Sequence, residues 1–476
     1  MKSGRREFLA AGAIGALAAP AVLAAPRSTD IQVEELRTAF QDFHYRAPYK
    51  FGGREVDRVT VQSVRCRVSA KNGKGAVGFA EMPLGNVWSY PAPNLPYEKT
   101  LEAMRVLALK IAWITRDYTG YGHPLDIHKE LLPEYLKAAD ETTEEMRLYP
   151  PIPKLCTLVT ASPVDAAIHD AYGRLYRRNS FTVCGEDFVR HDLSEYLNSD
   201  FRGEYLDQYL LAKPARQVLM YHSVGASDPL TAAEVTRPIH DGLPETLADW
   251  IPYNGVVAIK IKLNGSDLAW DVDRVAAIDR VTAAAEAARN VREWVYSLDF
   301  NERCPNVEYL LDFERKLKEK APGAFERVQY IEQPTARDLE ANRQNTMFEA
   351  AKLRPVVIDE SLTGLDALLL AREMGYTGAA LKACKGQSET LLMAAATAKY
   401  KMFRCVQDLT CPGAALVQSV GIAAHLPGTP AVEANAREYV PSASLGWEQR
   451  FPGIFVVRNG WMTTARLDGP GLCTQA

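Results

Sequence analysis

The feature that most constrains this 476-residue chain is a long succession of short apolar runs alternating with amphipathic stretches, beginning near residue 216. The runs are VLMYHSV, VVAIKIKL, WVYSLDF, VQYIEQP, PVVIDES, TGAALKA and KMFRCVQD. Continuous Val/Ile/Leu runs suit parallel strands covered on both faces, and intervening segments such as DVDRVAAIDRVTAAAEAARN suit the helices that connect them. Repetition on this scale predicts an α/β fold with a closed TIM-like barrel rather than an open sheet.

The N-terminal part has a different texture. Residues 31 to 97 carry strand-like alternation, with VTVQSVRCRVSA, the turn KNGKG and AVGFAEMPL reading as a β-hairpin. Residues 98 to 147 are helical in pattern. A further helix is predicted in ASPVDAAIHDAYGRLYRR, where Ser162 would cap and Pro163 would occupy the first turn. Residues 181 to 215 and 225 to 250 are polar and rich in turn formers, and read as a linker and as the first barrel loop and helix.

The first 25 residues stand apart. Arg5 and Arg6 precede Phe8 and Leu9, a Gly/Ala-rich apolar run follows, and Ala24 and Ala25 suit cleavage. This resembles a twin-arginine export signal, although Gly4 replaces the Ser or Thr usual before the pair. The expectation is an exported, periplasmic or extracytoplasmic protein with no stable membrane insertion once the signal is removed. The eight cysteines are scattered without zinc-like spacing; Cys405 and Cys411 are near enough in sequence to pair, but a chain exported already folded would not depend on it. With 55 Lys and Arg against 59 Asp and Glu, and no basic run, nucleic acid is not an expected partner. A small molecule is.

The chemistry lies at the strand ends, which in a barrel of this kind form the active face. Lys260 and Lys262, at i and i+2, point to one side of a strand. Like-charge pressure and burial are expected to lower the pKa of at least one, preparing a base, though K-x-K also occurs on exposed edge strands. Asp299, Glu332 and Asp359 end the next three runs. Each alone could cap a helix, but three converging carboxylates repel unless a cation lies between them, and oxygen-only ligation suits Mg²⁺, with Mn²⁺ as a substitute. Lys382 ends the following strand, with Lys385 close behind.

This ordered set, K-x-K, Asp, Glu, Asp, Lys, resembles the enolase superfamily, and within the mandelate racemase/muconate lactonizing enzyme family its muconate-lactonizing and dipeptide-epimerase side. GFAEMPL, DAAIHDAYGRL and the late LDGPGL resemble landmarks of that family's capping domain. The resemblance implies a (β/α)7β barrel over 216–429 and an α+β capping domain from 31–195 plus 430–476. It also implies Asp299, Glu332 and Asp359 as metal ligands, Lys262 and Lys382 as acid/base groups, and Lys260 as a second cation. A two-lysine site permits abstraction of the proton α to a carboxylate and its return on the other face, hence a racemase or epimerase. Acid-sugar dehydratase and cycloisomerase use the same first step, and an exported ligand-binding protein without turnover is the alternative of another class.

Two departures bear on the branch. FRCVQDLT offers Gln407 and Asp408 where the mandelate-racemase branch has a His-Asp pair. Dipeptide epimerases share a D-x-D near the chain end, whereas this chain reads Arg466-Leu467-Asp468. The segments TAFQDFHYRAPYKFGG and GNVWSYPAPNL are read as capping loops whose aromatics, among them Tyr45 and Trp88, could floor a pocket, with Asp408 and Asp468 as further substrate contacts. Nothing in the sequence fixes the substrate, and a homo-oligomer is compatible with it.

Overall fold

Two glycines set the longest hairpin of the protein. Gly52 and Gly53 have φ of +52° and +70°, and two successive left-handed residues make the tight turn whose twist matches paired strands. On either side of them run β1 (Ile31–Phe51) and β2 (Arg54–Ala70), antiparallel, and β2 pairs in turn with β3 (Gly75–Pro83). The hairpin predicted from VTVQSVRCRVSA to AVGFAEMPL is thus β2–β3. The stretch 38–53, expected to be a loop, is instead the second half of β1. Its pattern is hidden because residues 45 to 48 bulge out of register between His44 and Tyr49. The computed structural model describes residues 27–429 and 431–474, so the export-signal reading of residues 1–25 lies outside the described residues.

Of three helices, Tyr97–Asp117, Pro124–Glu145 and Lys154–Leu175, the first and third pack on this sheet and the second packs against both of them. The third begins earlier than the sequence suggests, and Ser162 and Pro163 sit inside it, not at its start. Pro163 has no N–H for the carbonyl of Val159, and the Ser162 hydroxyl donates to that carbonyl at 2.8 Å, which removes the main objection to an interior proline. Sheet and helix approach closely at Gly78, where a Cβ would meet the Ala167 carbonyl at 2.0 Å. The same helix ties the chain end to the hairpin: Asp170 accepts from the backbone N–H of Phe79 at 3.0 Å and of Leu472 at 2.8 Å.

The eight strands β4 (Gln217–Val224), β5 (Ala258–Lys262), β6 (Val295–Asp299), β7 (Val328–Glu332), β8 (Val356–Ile358), β9 (Gly378–Lys382), β10 (Phe403–Gln407) and β11 (Val432–Glu433) are parallel and follow one another in space, and β11 returns to β4 to close the barrel. A short antiparallel strand, β12 (Trp461–Thr463), pairs with the start of β4. The closing strand lies beyond residue 429, so the barrel extends past the boundary read from sequence. Tyr221, Ala258, Tyr330, Val357, Ala380, Cys405 and Ala431 form a packed apolar layer inside it. That layer is the floor on which the polar groups at the strand ends stand. All eight cysteines are free.

One buried group outside this centre carries a measurable consequence. Glu314, on the helix Val307–Lys320, is fully buried and neither carboxylate oxygen has a hydrogen-bond partner. Burial pushes its carboxyl up to about 8. A carboxyl whose folded-state pKa is raised stabilises the fold fully below its unfolded value near 4.5, and that contribution is lost as pH rises through about 8. Glu314→Gln is therefore expected to raise the melting temperature relative to the parent at pH 8 and to leave the difference near zero at pH 4. Equal differences at the two pH values in thermal scans would contradict this.

Candidate active site

Strand register brings the ionisable ends to one level. Lys262 lies opposite Asp299, and Asp299 opposite Glu332, on three adjacent strands, while Gln407 lies opposite Lys382 on the far side. In a closed ring of eight strands, β5 and β9 are four apart. Lys262 and Lys382 therefore approach the centre from opposite walls, and both line one cavity over the barrel mouth.

Between them stands a dense ionic cluster. Lys260 is completely buried and its ammonium lies 3.2 Å from Asp299, 2.9 Å from Glu332 and 2.9 Å from Glu433. Lys262 donates to Asp299, Lys382 donates to Asp359 at 2.6 Å, and Lys385 is 3.2 Å from Asp359. Gln407 donates to Glu332, and Asn301 donates through its backbone and side chain to Asp299.

This corrects the expectation of a lysine held neutral by its neighbour. Burial alone would push the Lys260 ammonium down, but Glu332, Glu433 and Asp299 outweigh it and hold it well above the ordinary lysine range. Lys382 is raised likewise, with Asp359 overcoming burial and the repulsion of Lys260. Nor does Lys260 reach the cavity wall, because its three carboxylates hold it beneath. Read from sequence as a second cation of the catalytic set, Lys260 is here paired with three carboxylates and is not among the residues lining the cavity.

The carboxylates exceed the cations. Six carboxyls, those of Asp299, Glu332, Asp359, Glu360, Asp408 and Glu433, are buried around four ammonium groups, those of Lys260, Lys262, Lys382 and Lys385. Burial and the facing Asp299 push Glu332 well up despite Lys260. Burial and Asp359 raise Glu360 to about 7, and burial and Glu433 raise Asp408 to about 8. Two acceptor oxygens of the cluster, Asn301 Oδ1 and Glu360 Oε2, are buried without a partner. An all-oxygen set in which carboxyls outnumber cations, three of them pushed toward the neutral form for want of more positive charge, and in which acceptors are orphaned, fits a hard divalent cation. Among the described residues no three such side chains gather their oxygens at one point, since lysine ammonium groups hold each of them.

The cavity is roofed by the hairpin and the β3 loop. Tyr45, Tyr49, Phe51, Trp88 and Tyr97 line it with Asn301, Asp408 and Glu433. Trp88 packs its ring 4.5 Å from the Lys382 ammonium and donates its indole N–H to Glu360 at 2.9 Å, and Phe51 lies 5.9 Å from the Lys262 ammonium. Arg46, carried by the bulge of β1, forms a two-pronged ion pair with Asp241 and fastens the hairpin to the loop after β4. The cavity, of about 60 Å³, has room for a few water molecules.

Of the residues singled out from sequence, Lys262, Lys382, Tyr45, Trp88 and Asp408 line the cavity, and Asp299, Glu332 and Asp359 lie within the cluster at its base. Asp468 does not. It is exposed on the C-terminal tail, between Leu467 and Gly469, whose carbonyls accept from Asn179, and the neighbouring Arg466 is exposed too. Glu433 was missed because its strand is two residues long; the acid ending the short apolar run in PAVEAN was the available signal.

A family model described as enolase C-terminal domain-like matches residues 243–475. Among solved structures, a dipeptide epimerase from Enterococcus faecalis V583, complexed with Mg and L-Leu-L-Tyr, superposes with a TM-score of 0.59 at 14% identity, over 93% of this chain and 99% of its own. An N-succinyl Arg/Lys racemase from Bacillus cereus ATCC 14579 gives 0.59 at 14% over 93% and 95%. The L-Ala-D/L-Glu epimerase from Bacillus subtilis gives 0.58 at 16% over 93% and 98%. At these identities the shared property is the fold. No curated protein gives a sequence match.

Because one ammonium group compensates three buried carboxylates, Lys260→Met is expected to cost about 3–5 kcal/mol in urea unfolding, and Lys260→Met/Glu433→Gln to recover part of the loss. A single variant within about 1 kcal/mol of the parent would show that the cluster does not depend on this lysine.

Proposed function

We propose, from the match of residues 243–475 to the enolase C-terminal domain-like family model, that this chain is an enzyme of the enolase superfamily that removes the proton α to a substrate carboxylate and returns it on the opposite face, a racemase or epimerase dependent on Mg²⁺. The observation that carries this reading is the pair Lys262 and Lys382, on opposite walls of the barrel and lining one cavity above a carboxylate cluster. A protein that only binds a ligand has no use for two facing bases.

Asp299, Glu332 and Asp359 are the residues that would hold the cation. When bound, it takes over the charge balance now supplied by lysine ammonium groups and stabilises negative charge on the substrate carboxylate. The remaining steps belong to the protein. One lysine, in its neutral form, takes the α-proton onto Nζ as the C–H electron pair moves toward the carboxylate. The other, as an ammonium, donates a proton to the same carbon from the far side, and carbon inverts. Trp88 and Phe51, each against one lysine, restrict water around the two nitrogens. Lys260 keeps Asp299, Glu332 and Glu433 in fixed positions. Elimination or cycloisomerisation would follow the same first step with a substrate bearing a leaving group or an internal nucleophile.

The test is solvent exchange. In D₂O with Mg²⁺, a panel of dipeptides, N-acyl amino acids and acid sugars is expected to yield at least one compound that gains deuterium at the carbon next to its carboxylate; no Mg²⁺-dependent exchange across the panel would contradict the reading. Lys382→Ala is expected to lower that exchange by about 10²-fold or more while leaving Mg²⁺ binding and the melting transition near those of the parent. Full exchange in this variant would move the base elsewhere, first to Lys385.

A further inference from the structure

A second cavity, of about 320 Å³, adjoins the first and shares Phe51, Val87, Trp88 and Asn301 as a common wall. Three arginines come together around it from separate elements: Arg54 from the start of β2, Arg303 from the loop after β6 and Arg337 from the loop after β7. They are close enough that Arg337 and Arg303, after burial, contribute to holding the Arg54 guanidinium below its ordinary range. Like charges do not gather in this way without some use for the field between them.

Each of the three keeps unused hydrogen-bonding capacity. Arg337 is fixed by Glu302, which accepts from its Nε at 2.8 Å, and by the Trp88 carbonyl, which accepts from Nη2 at 3.1 Å. Its remaining nitrogen, Nη1, is buried and has no partner. Arg54 makes one hydrogen bond, from Nη1 to the Val87 carbonyl at 3.2 Å. The Arg303 guanidinium, 3.6 Å from the place a Cβ would take on Gly53, lies under the hairpin turn. The two acids of this cavity are Glu302, committed to Arg337, and Glu360, which receives the Trp88 indole N–H. Three guanidinium groups against two carboxyls leave the cavity positive, with planar donors suited to anionic oxygens.

We propose that this cavity is a subsite for a second anionic group of the substrate, a carboxylate or phosphate, held by Arg54, Arg303 and Arg337 while the reacting carboxylate lies on the other side of Trp88 and Asn301. The proposal rests on the proton-transfer reading for where the reacting end binds, and it assigns that reading a substrate class: a dianion with its two charged ends separated by the width of the shared wall. It also gives the roof a function in recognition, since Arg54 begins the second strand of the hairpin and Arg303 lies against its Gly53 turn.

The closing experiment compares three probes by titration calorimetry on the full-length, Mg²⁺-loaded protein: N-succinylglycine, N-(phosphonoacetyl)glycine and the singly charged N-butanoylglycine. The doubly charged compounds are expected to bind about tenfold or more tightly than the monoanion, and whichever of the two binds better identifies the anion. In Arg54→Gln and in Arg303→Gln the ratio of dianion to monoanion affinity is expected to fall toward one. A ratio near one in the parent, no binding of either dianion, or a ratio unchanged in both variants would overturn the subsite. Arginine-dependent dianion binding by a protein that exchanges no α-proton would preserve the subsite and count against the proton-transfer reading. Exchange without any preference for dianions would do the reverse.

Discussion

The rest of the molecule is organised around one buried ammonium group. Lys260 stands on the apolar floor of the barrel and is shared by Asp299, Glu332 and Glu433, which come from two strands on one side of it and from the strand that closes the ring. Each of those carboxylates, left alone in such a place, would be far too costly to keep ionised. Held together, they bring β5, β6, β7 and β11 to a common level and present further oxygens upward. Closure of the barrel and assembly of the site are therefore one electrostatic event.

Above this cluster the barrel is polar and the roof is aromatic. The long hairpin of the N-terminal sheet reaches over the mouth, is fastened there by Arg46 to Asp241, and turns at Gly52 with a Cβ position 3.2 Å from that of Asn301. Trp88 connects the layers, stacking on Lys382, donating to Glu360 and offering its carbonyl to Arg337. A small space between two lysines, walled by aromatic rings, follows from this arrangement. The same tryptophan separates the reacting site from the arginine-lined cavity beside it.

Much of the barrel could be read from sequence because most of its buried parallel strands are continuous apolar runs with an ionisable residue at or just past the end, and Lys262, Asp299, Glu332, Asp359 and Lys382 all mark such ends. β11 escaped because two residues carry no periodicity, and Glu433 went with it. The second half of β1 escaped because its bulge breaks the alternation. Pro163 was read as a helix start because a backbone rule was applied without its compensation, the Ser162 hydroxyl on the Val159 carbonyl. The charge state of the lysines was misjudged for a different reason: K-x-K shows two like charges, whereas the carboxylates that outweigh them come from strands distant in sequence. Asp468 was assigned by analogy with a motif whose first acid is Arg466 here, and the tail carries it to the surface.

The central claim is that strand-end carboxylates now held by ammonium groups form a receiving site for a divalent cation. Anomalous diffraction from crystals soaked in Mn²⁺ tests it most directly. The account predicts a single strong peak bonded to Asp299, Glu332 and Asp359, with the ammonium groups of Lys262 and Lys382 drawn off their carboxylates. A peak bonded elsewhere, or none with the Lys262–Asp299 and Lys382–Asp359 pairs intact, would contradict it.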